Sequence, residues 1–462
     1  MFTAQDILNA TGGNLAVGSL DCVARGISTD SRTIEKGELF IALEGDNFNG
    51  HEFVTDSVQR GAVGVVVKAG VFSYKPVLSM GYPVFLIEVN DTLKALGDIA
   101  YFYRKRFNIP VAGVTGSNGK TTTKDMIAHI LSLSLRVLKN QGTLNNFIGM
   151  PLTLLKLADQ HQACVLEMGA NHLGEIARLS EIAVPDIGVI TNIGPSHLEF
   201  LKDLETVSQA KTELFQNFKP DDTAIWNADD AMLSGLYQTH KCRKKTFGFS
   251  AGCDYQATHI EYLKAEGAWR FALNSNKLIK IKLLGRHNIY NALAAIAVSD
   301  TMGIDYESIF SGLSSFGSVS MRMEILEAAG ITIINDSYNS NPKSMESAIA
   351  VLSDFNASGR KILVSGDMLE LGDMSDYYHH QLGLSVGNSN TDIFIAVGPR
   401  SREAAASAIS SGMNKSCVYL CDNSKQAGEA LIKILRQYDV VLIKGSCAMK
   451  MENICSTIYS TR

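Results

Sequence analysis

Thr115-Gly116-Ser117-Asn118-Gly119-Lys120-Thr121-Thr122 gathers the residue types that hold a nucleoside triphosphate. Glycines let backbone N–H groups approach phosphate oxygens, and a helix N-terminus directly after them adds positive potential. Lys120 would reach the β- and γ-phosphates, and the Thr121 hydroxyl would take Mg²⁺. Val114 stands where the general phosphate-loop pattern has Gly or Ala. The competing reading is a glycine-rich turn that binds nothing. Lys-Thr after the glycine, with a helix following at once, argues against it.

Such a loop needs a strand before it and a helix after it. Ile109 to Val114 is a short apolar, β-prone run, and Met126, Ile127, Ile130 and Leu131 recur at helical spacing. Other candidate groups also stand where apolar runs end. Ala163 to Leu166 leads into Glu167, as a buried strand delivering a metal-ligating carboxylate would. The strand-like run Asp186 to Ile193 leads to His197. Asn288 and Asn291, three apart, share a helix face and together can read the donor–acceptor edge of adenine. Each has a plainer reading when taken alone. A strand-end Glu is often a cap, a loop His is often structural, and Lys211 on a helix is ordinarily solvated.

At 462 residues the chain has room for about three domains. Apolar content of 46% and charged content of 19% are globular values. A net charge of −5 excludes a polyanion-wrapping role, so no nucleic-acid partner is expected. Cysteines 22, 164, 242, 253, 417, 421, 447 and 455 form no C-x-x-C pair and read as reduced cytosolic thiols. Cys417 and Cys421 lack a second Cys/His pair for a metal. The N-terminus has no basic and apolar regions of a signal peptide. No apolar run reaches the ~20 residues that span a bilayer. A cytoplasmic protein, without membrane attachment and acting as a monomer, is expected.

The loop's particular form, Thr-Gly-Ser-Asn-Gly-Lys-Thr-Thr, resembles the Mur ligase family, the ATP-dependent amide-forming enzymes of peptidoglycan precursor synthesis. Further strings carry the same resemblance. They are Glu167-Met168-Gly169-Ala170-Asn171-His172-Leu173-Gly174, Thr191 to His197, Ala210-Lys211-Thr212-Glu213, and Gly285-Arg286-His287-Asn288 to Asn291. Leu284 replaces the family's usual Pro. The resemblance implies ATP and two Mg²⁺ ions, with Glu167 and His197 as metal ligands and Lys211 as an N-carboxylated lysine. It places Asn145 and Asn146 in a substrate-facing loop, and Ser31 and Asn47 at the UDP end of the precursor. Arg322 would meet phosphate and Asp336 the ribose. Gly366 to Gly372 and His379 resemble the member that joins D-alanyl-D-alanine to a UDP-N-acetylmuramoyl-tripeptide, which makes these two molecules the expected partners. Lys444-Gly445-Ser446 also fits, but Cys447 replaces a usual Arg; Lys450 would partly substitute if a helix continues through it.

The expected fold class is α/β with three domains. Residues 1–90 form a small precursor-binding α/β domain, 91–316 a central P-loop ATPase-like parallel-sheet domain, and 317–462 a Rossmann-like ligase domain. Rival readings are another Mur ligase, a folylpolyglutamate synthetase, a nucleotide-dependent switch, and an inactive UDP-sugar-binding protein. The N-terminal Asp30-Ser31-Arg32 unit argues against the synthetase. Intact Lys120, Glu167, His197 and Lys211 argue against an inactive homologue.

Overall fold

The structure, a computed structural model, describes residues 1–45, 48–238 and 241–461. The fold is mixed α/β with parallel sheets, in agreement with the expected class. Contacts divide the chain into two units. One holds Met1–Gly113, Leu135–Gly169 and Glu175–Asp186; the other holds Val114–Ser134, Ala170–Gly174 and Ile187–Arg462.

In the first unit a five-stranded sheet runs Asn14–Val17, Phe85–Val89, Gly64–Lys68, Leu39–Ile41, Ile27–Ser28. Only the first pairing is antiparallel. Alternation along the strands fills both faces. Leu39, Ile41 and Val66 pack against Ile7, Leu96 and Ile99, while Phe40, Val65 and Val67 pack against Val54, Val58 and Val77. This two-sided burial is why the run at Val65 to Val67 is continuously apolar rather than alternating. Asp91 caps the Thr92–Arg104 helix by accepting from Lys94 N at 2.9 Å. At the helix end, the Arg104 guanidinium donates to the carbonyls of Phe107, Ile109 and Ala183. It thereby fixes the chain's entry into the strand that feeds the phosphate loop. Val137–Lys139 pairs in parallel with Ala163–Glu167.

In the second unit one run of strands is ordered Lys277–Ile281, Ala268–Leu273, Tyr255–Leu263, Arg243–Gly248, Thr223–Asn227, Ile187–Ile190. The last four strands pair in parallel. The antiparallel hairpins from 255 to 281 extend this sheet beyond the expected parallel pattern. The His287–Thr301 helix is rich in alanine and buried nearly all round, which lets it approach the Lys120–Leu131 helix closely. A separate six-stranded sheet runs Glu324–Ala328, Ile331–Asp336, Val440–Lys444, Lys361–Gly366, Ile393–Val397, Val418–Cys421. It is parallel except for its first pair.

Candidate active site

The phosphate loop joins Val111–Thr115 to the Lys120–Leu131 helix. Gly116 takes φ 138° and Gly119 φ 80°. A Cβ on Gly116 would collide with Thr191 Oγ1, and one on Gly119 with Asn291 Oδ1, so neither position admits a side chain. The segment from Thr191 to Ser196 straps the loop in place. Ser117 N donates to Asn192 O at 2.9 Å, and Asn118 N donates to Asn192 Oδ1 at 3.1 Å. Ser117 Oγ exchanges hydrogen bonds with the Gly194 backbone, both at 3.0 Å, and accepts from Ser196 Oγ. The Lys120 ammonium lies against its own loop, donating to Gly116 O at 2.7 Å and Ser117 O at 3.2 Å.

Asn288 and Asn291 do share a helix face, but their polar atoms work within the protein. Asn288 Nδ2 donates to Leu284 O at 2.7 Å, Asn291 Nδ2 donates to Asn288 Oδ1 at 2.8 Å, and Thr123 Oγ1 donates to Asn291 Oδ1 at 3.2 Å. Both residues are buried. This chain of amides ties the His287–Thr301 helix to the helix behind the loop and holds Gly119 from beneath.

Residues after 317 close over the loop from the other side. Arg322 Nη2 donates to Thr121 Oγ1 at 2.8 Å, and its guanidinium stacks 4.2 Å from the Tyr338 ring centroid. Asn341 caps the Pro342–Asp354 helix and donates from Nδ2 to Asn118 Oδ1 at 2.8 Å. Two buried polar atoms here have no protein partner, Asn118 Nδ2 and Ser340 Oγ. Such atoms in a loop of this shape suit a polar ligand such as phosphate. Asp336 accepts from Lys444 Nζ at 2.6 Å and from Met323 N at 3.2 Å.

His197 ends the strapping segment in a left-handed conformation, φ 55°. Its Nδ1 lies 2.6 Å from Glu370 Oε2. That hydrogen bond holds the Glu370 carboxyl below the usual carboxylate range against the opposing effect of burial. Lys211, in the last turn of the Leu204–Thr212 helix, is buried and donates to Ala170 O at 3.1 Å.

In the first unit, Glu167 is buried at its strand end and accepts from Asn145 Nδ2 at 2.7 Å. Asn140, which sequence reasoning passed over, is fully buried and clamps the Glu167 backbone through both N–H and C=O. Asn146 accepts from Ile148 N and Gly149 N at the start of a short helix. The adjacent amides thus divide their work between a carboxylate and a helix start. Ser31 is buried at a turn beside the Asp30–Arg32 ion pair, whose hydrogen bonds lower the Asp30 carboxyl to about 2. Asn47 lies outside the described residues.

One expectation needs correction. The helix does not continue through Lys450, because Cys447–Met449 is a single tight turn and Lys450 breaks it at φ 52°. Lys450 is therefore not one α-helical turn from Cys447. Among the described residues no group of three or more His, Cys, Asp and Glu could hold a metal. Of the residues the sequence offers as ligands, Thr121, Glu167 and His197 bring oxygen or nitrogen donors, and Lys211 brings oxygen only when carboxylated. Two partners were missed from the sequence, Glu370 and Asn341. Asn directly before Pro342 is a helix-start signal that points to the second.

Residues 23–104 match a model described as Mur ligase family, catalytic domain. Residues 114–299 match the Mur ligase middle domain, and 321–447 the Mur ligase, glutamate ligase domain. The UDP-N-acetylmuramoyl-tripeptide–D-alanyl-D-alanine ligase of Bacillus subtilis (strain 168) is 36% identical over 462 residues, covering 99% of this chain and 98% of the relative. A crystal structure of MurF from Acinetobacter baumannii superposes with a TM-score of 0.89 at 31% identity, covering 99% of both chains. MurF ligase from Thermotoga maritima in complex with ADP superposes with a TM-score of 0.82 at 26% identity, covering 95% of this chain and 98% of that one.

Proposed function

The chain belongs to the Mur ligase family, and on that premise we propose that it joins D-alanyl-D-alanine to UDP-N-acetylmuramoyl-tripeptide in an ATP-driven reaction. The choice of substrates is supported by the named relatives, which match nearly the whole chain. The observation that carries the reading is the 2.8 Å contact of Arg322 with Thr121 Oγ1. It brings a second cation to the phosphate loop beside Lys120, where triphosphate charge has to be neutralised.

Amide synthesis has two obstacles, because a carboxylate is a poor acyl donor and an ammonium is no nucleophile. The tripeptide's terminal carboxylate attacks the γ-phosphorus of ATP; the bond from that phosphorus to ADP breaks, and an acyl phosphate forms. The dipeptide's free amine then attacks the acyl carbon. The carbon–oxygen bond to phosphate breaks, and the nitrogen loses a proton. Lys120 leaves the Gly116 and Ser117 carbonyls to meet the phosphoryl oxygens. Thr191 to Ser196 keep the loop rigid while that charge moves. Thr121, His197 and a carboxylated Lys211 would hold Mg²⁺, which would neutralise phosphoryl charge without proton transfer. Glu167, aimed by Asn145, is proposed as an anionic ligand on motif grounds. We assign the reaction to the cytoplasm, a reading supported by the eight free thiols.

The acyl-phosphate step has a direct test. With the tripeptide's terminal carboxylate labelled with ¹⁸O, one labelled oxygen should appear in the released phosphate. Unlabelled phosphate from a completed ligation would contradict the route.

A further inference from the structure

The stretch from Gly366 to Gly372 follows the Lys361–Gly366 strand, outside the phosphate loop. It is nevertheless held residue by residue. The buried Asp367 carboxylate accepts from Ser401 N and Ser401 Oγ, both at 2.7 Å, and from Arg400 N at 3.2 Å. Met368 N donates to Nε2 of the fully buried His379 at 3.1 Å. The Nδ1 of His379 lies 2.7 Å from Ser375 O, which fixes its proton there. Leu369 N donates to Ser446 Oγ at 2.8 Å. Three consecutive residues are thus anchored, and the fourth, Glu370, is presented with φ 61°.

What Glu370 meets is His197, which precedes the Leu198–Leu201 helix and stands 173 residues away in sequence. His197 is also left-handed, at φ 55°. Neither residue is glycine or asparagine, so both adopt a backbone conformation that L side chains rarely take. Two such residues joined at 2.6 Å indicate a contact that the fold maintains at a cost. A second bond, Glu199 N to Glu370 O at 3.1 Å, locks the backbones together. Ser196, adjacent to His197, bonds Ser117 in the phosphate loop.

We propose that Glu370 is a positioning residue for His197. Its carboxylate keeps the imidazole proton on Nδ1, leaves Nε2 with its lone pair, and makes that arrangement depend on docking of the residues after 317. A histidine that ligates a metal through one nitrogen is commonly oriented by a carboxylate on the other. The proposal rests on the functional reading above only for what Nε2 then binds. The tautomer itself does not depend on it.

The test uses the full chain with Glu370→Gln and Glu370→Ala. In protein without nucleotide or metal, imidazole ¹⁵N shifts of His197, assigned with His197→Gln, report the tautomer. The wild type should carry Nδ1–H. Glu370→Ala should move to the Nε2–H form that a free histidine side chain prefers, and the isosteric Glu370→Gln should fall between. With substrates, kcat and Mn²⁺ affinity read by electron paramagnetic resonance should both fall about 10- to 100-fold in Glu370→Ala, with the KM for ATP unchanged. A folded Glu370→Ala that keeps the wild-type tautomer overturns the proposal. So does a tautomer shift with kcat and Mn²⁺ affinity within about twofold of wild type. If the wild type ligates no muramoyl peptide, the functional reading fails, and the tautomer result still decides the role of Glu370.

Discussion

At the scale of single residues, Lys211 carries the sharpest chemical expectation. Buried and bonded to Ala170 O, it is the one proposed metal ligand that arrives as a cation. Carboxylation by CO₂ requires the neutral amine, and it converts the residue into an anionic oxygen donor. Lys211→Ala should therefore remove activity, and formate or acetate should restore part of it by entering the vacated space. Lys211→Ala retaining more than about half of wild-type kcat, a ΔΔG‡ under ~0.4 kcal/mol, would contradict the carbamate. Residue identity was legible in the sequence where a motif is long and contiguous, as in the phosphate loop and around Glu167. What each side chain does was less so. Asn288 and Asn291 share a helix face as their spacing indicates, and there they bond Leu284 O and Thr123. The reason is physical: a shared helix face fixes direction relative to the helix, and the neighbour that face meets is set by distant chain. The Glu370 contact with His197 was invisible for the same reason, since no spacing rule links residues so far apart.

Among the elements, the turn from Gly366 to Gly372 depends on a histidine held neutral. Burial pushes the His379 pKa below its usual value, and its Nε2 accepts from Met368 N. Protonation would replace that acceptor with a donor. Because the folded pKa is depressed, the unfolded chain binds the proton first as pH falls. The contribution is fully present above about 6.5, shrinks as pH drops below it, and levels off beneath the folded pKa. His51 and His287 are also lowered, chiefly by burial, and should act in the same direction. The thermal midpoint should thus fall between about pH 7 and about pH 5, and His379→Gln should fall less over that range. An identical pH dependence in the two proteins, measured by calorimetry, would show that His379 does not contribute. Elements with strong local signals were legible, among them Ile393–Val397 and Val440–Lys444, and the helix capped by Asp91. The antiparallel hairpins between 255 and 281 were not. Their strands mix lysine, glutamate and aromatic residues with both faces partly exposed, so no clean alternation marks them.

Across the whole molecule, residues from distant parts of the chain meet at and beside the phosphate loop. Arg322 meets Thr121, Asn341 meets Asn118, and Glu370 meets His197. Each contact joins a residue after 317 to the segment around the phosphate loop, which supports the proposal that closure completes the site. Closure of this kind shields a reactive acyl phosphate from water. It also predicts that ATP should not be hydrolysed until both other substrates are present. The most direct measurement is phosphate release across a panel that crosses UDP-muramoyl peptides with single amino acids and dipeptides, with ATP throughout. Release is expected only when UDP-N-acetylmuramoyl-tripeptide and D-alanyl-D-alanine are supplied together. Equal release with a single amino acid in place of the dipeptide, or with neither acceptor nor donor present, would contradict it.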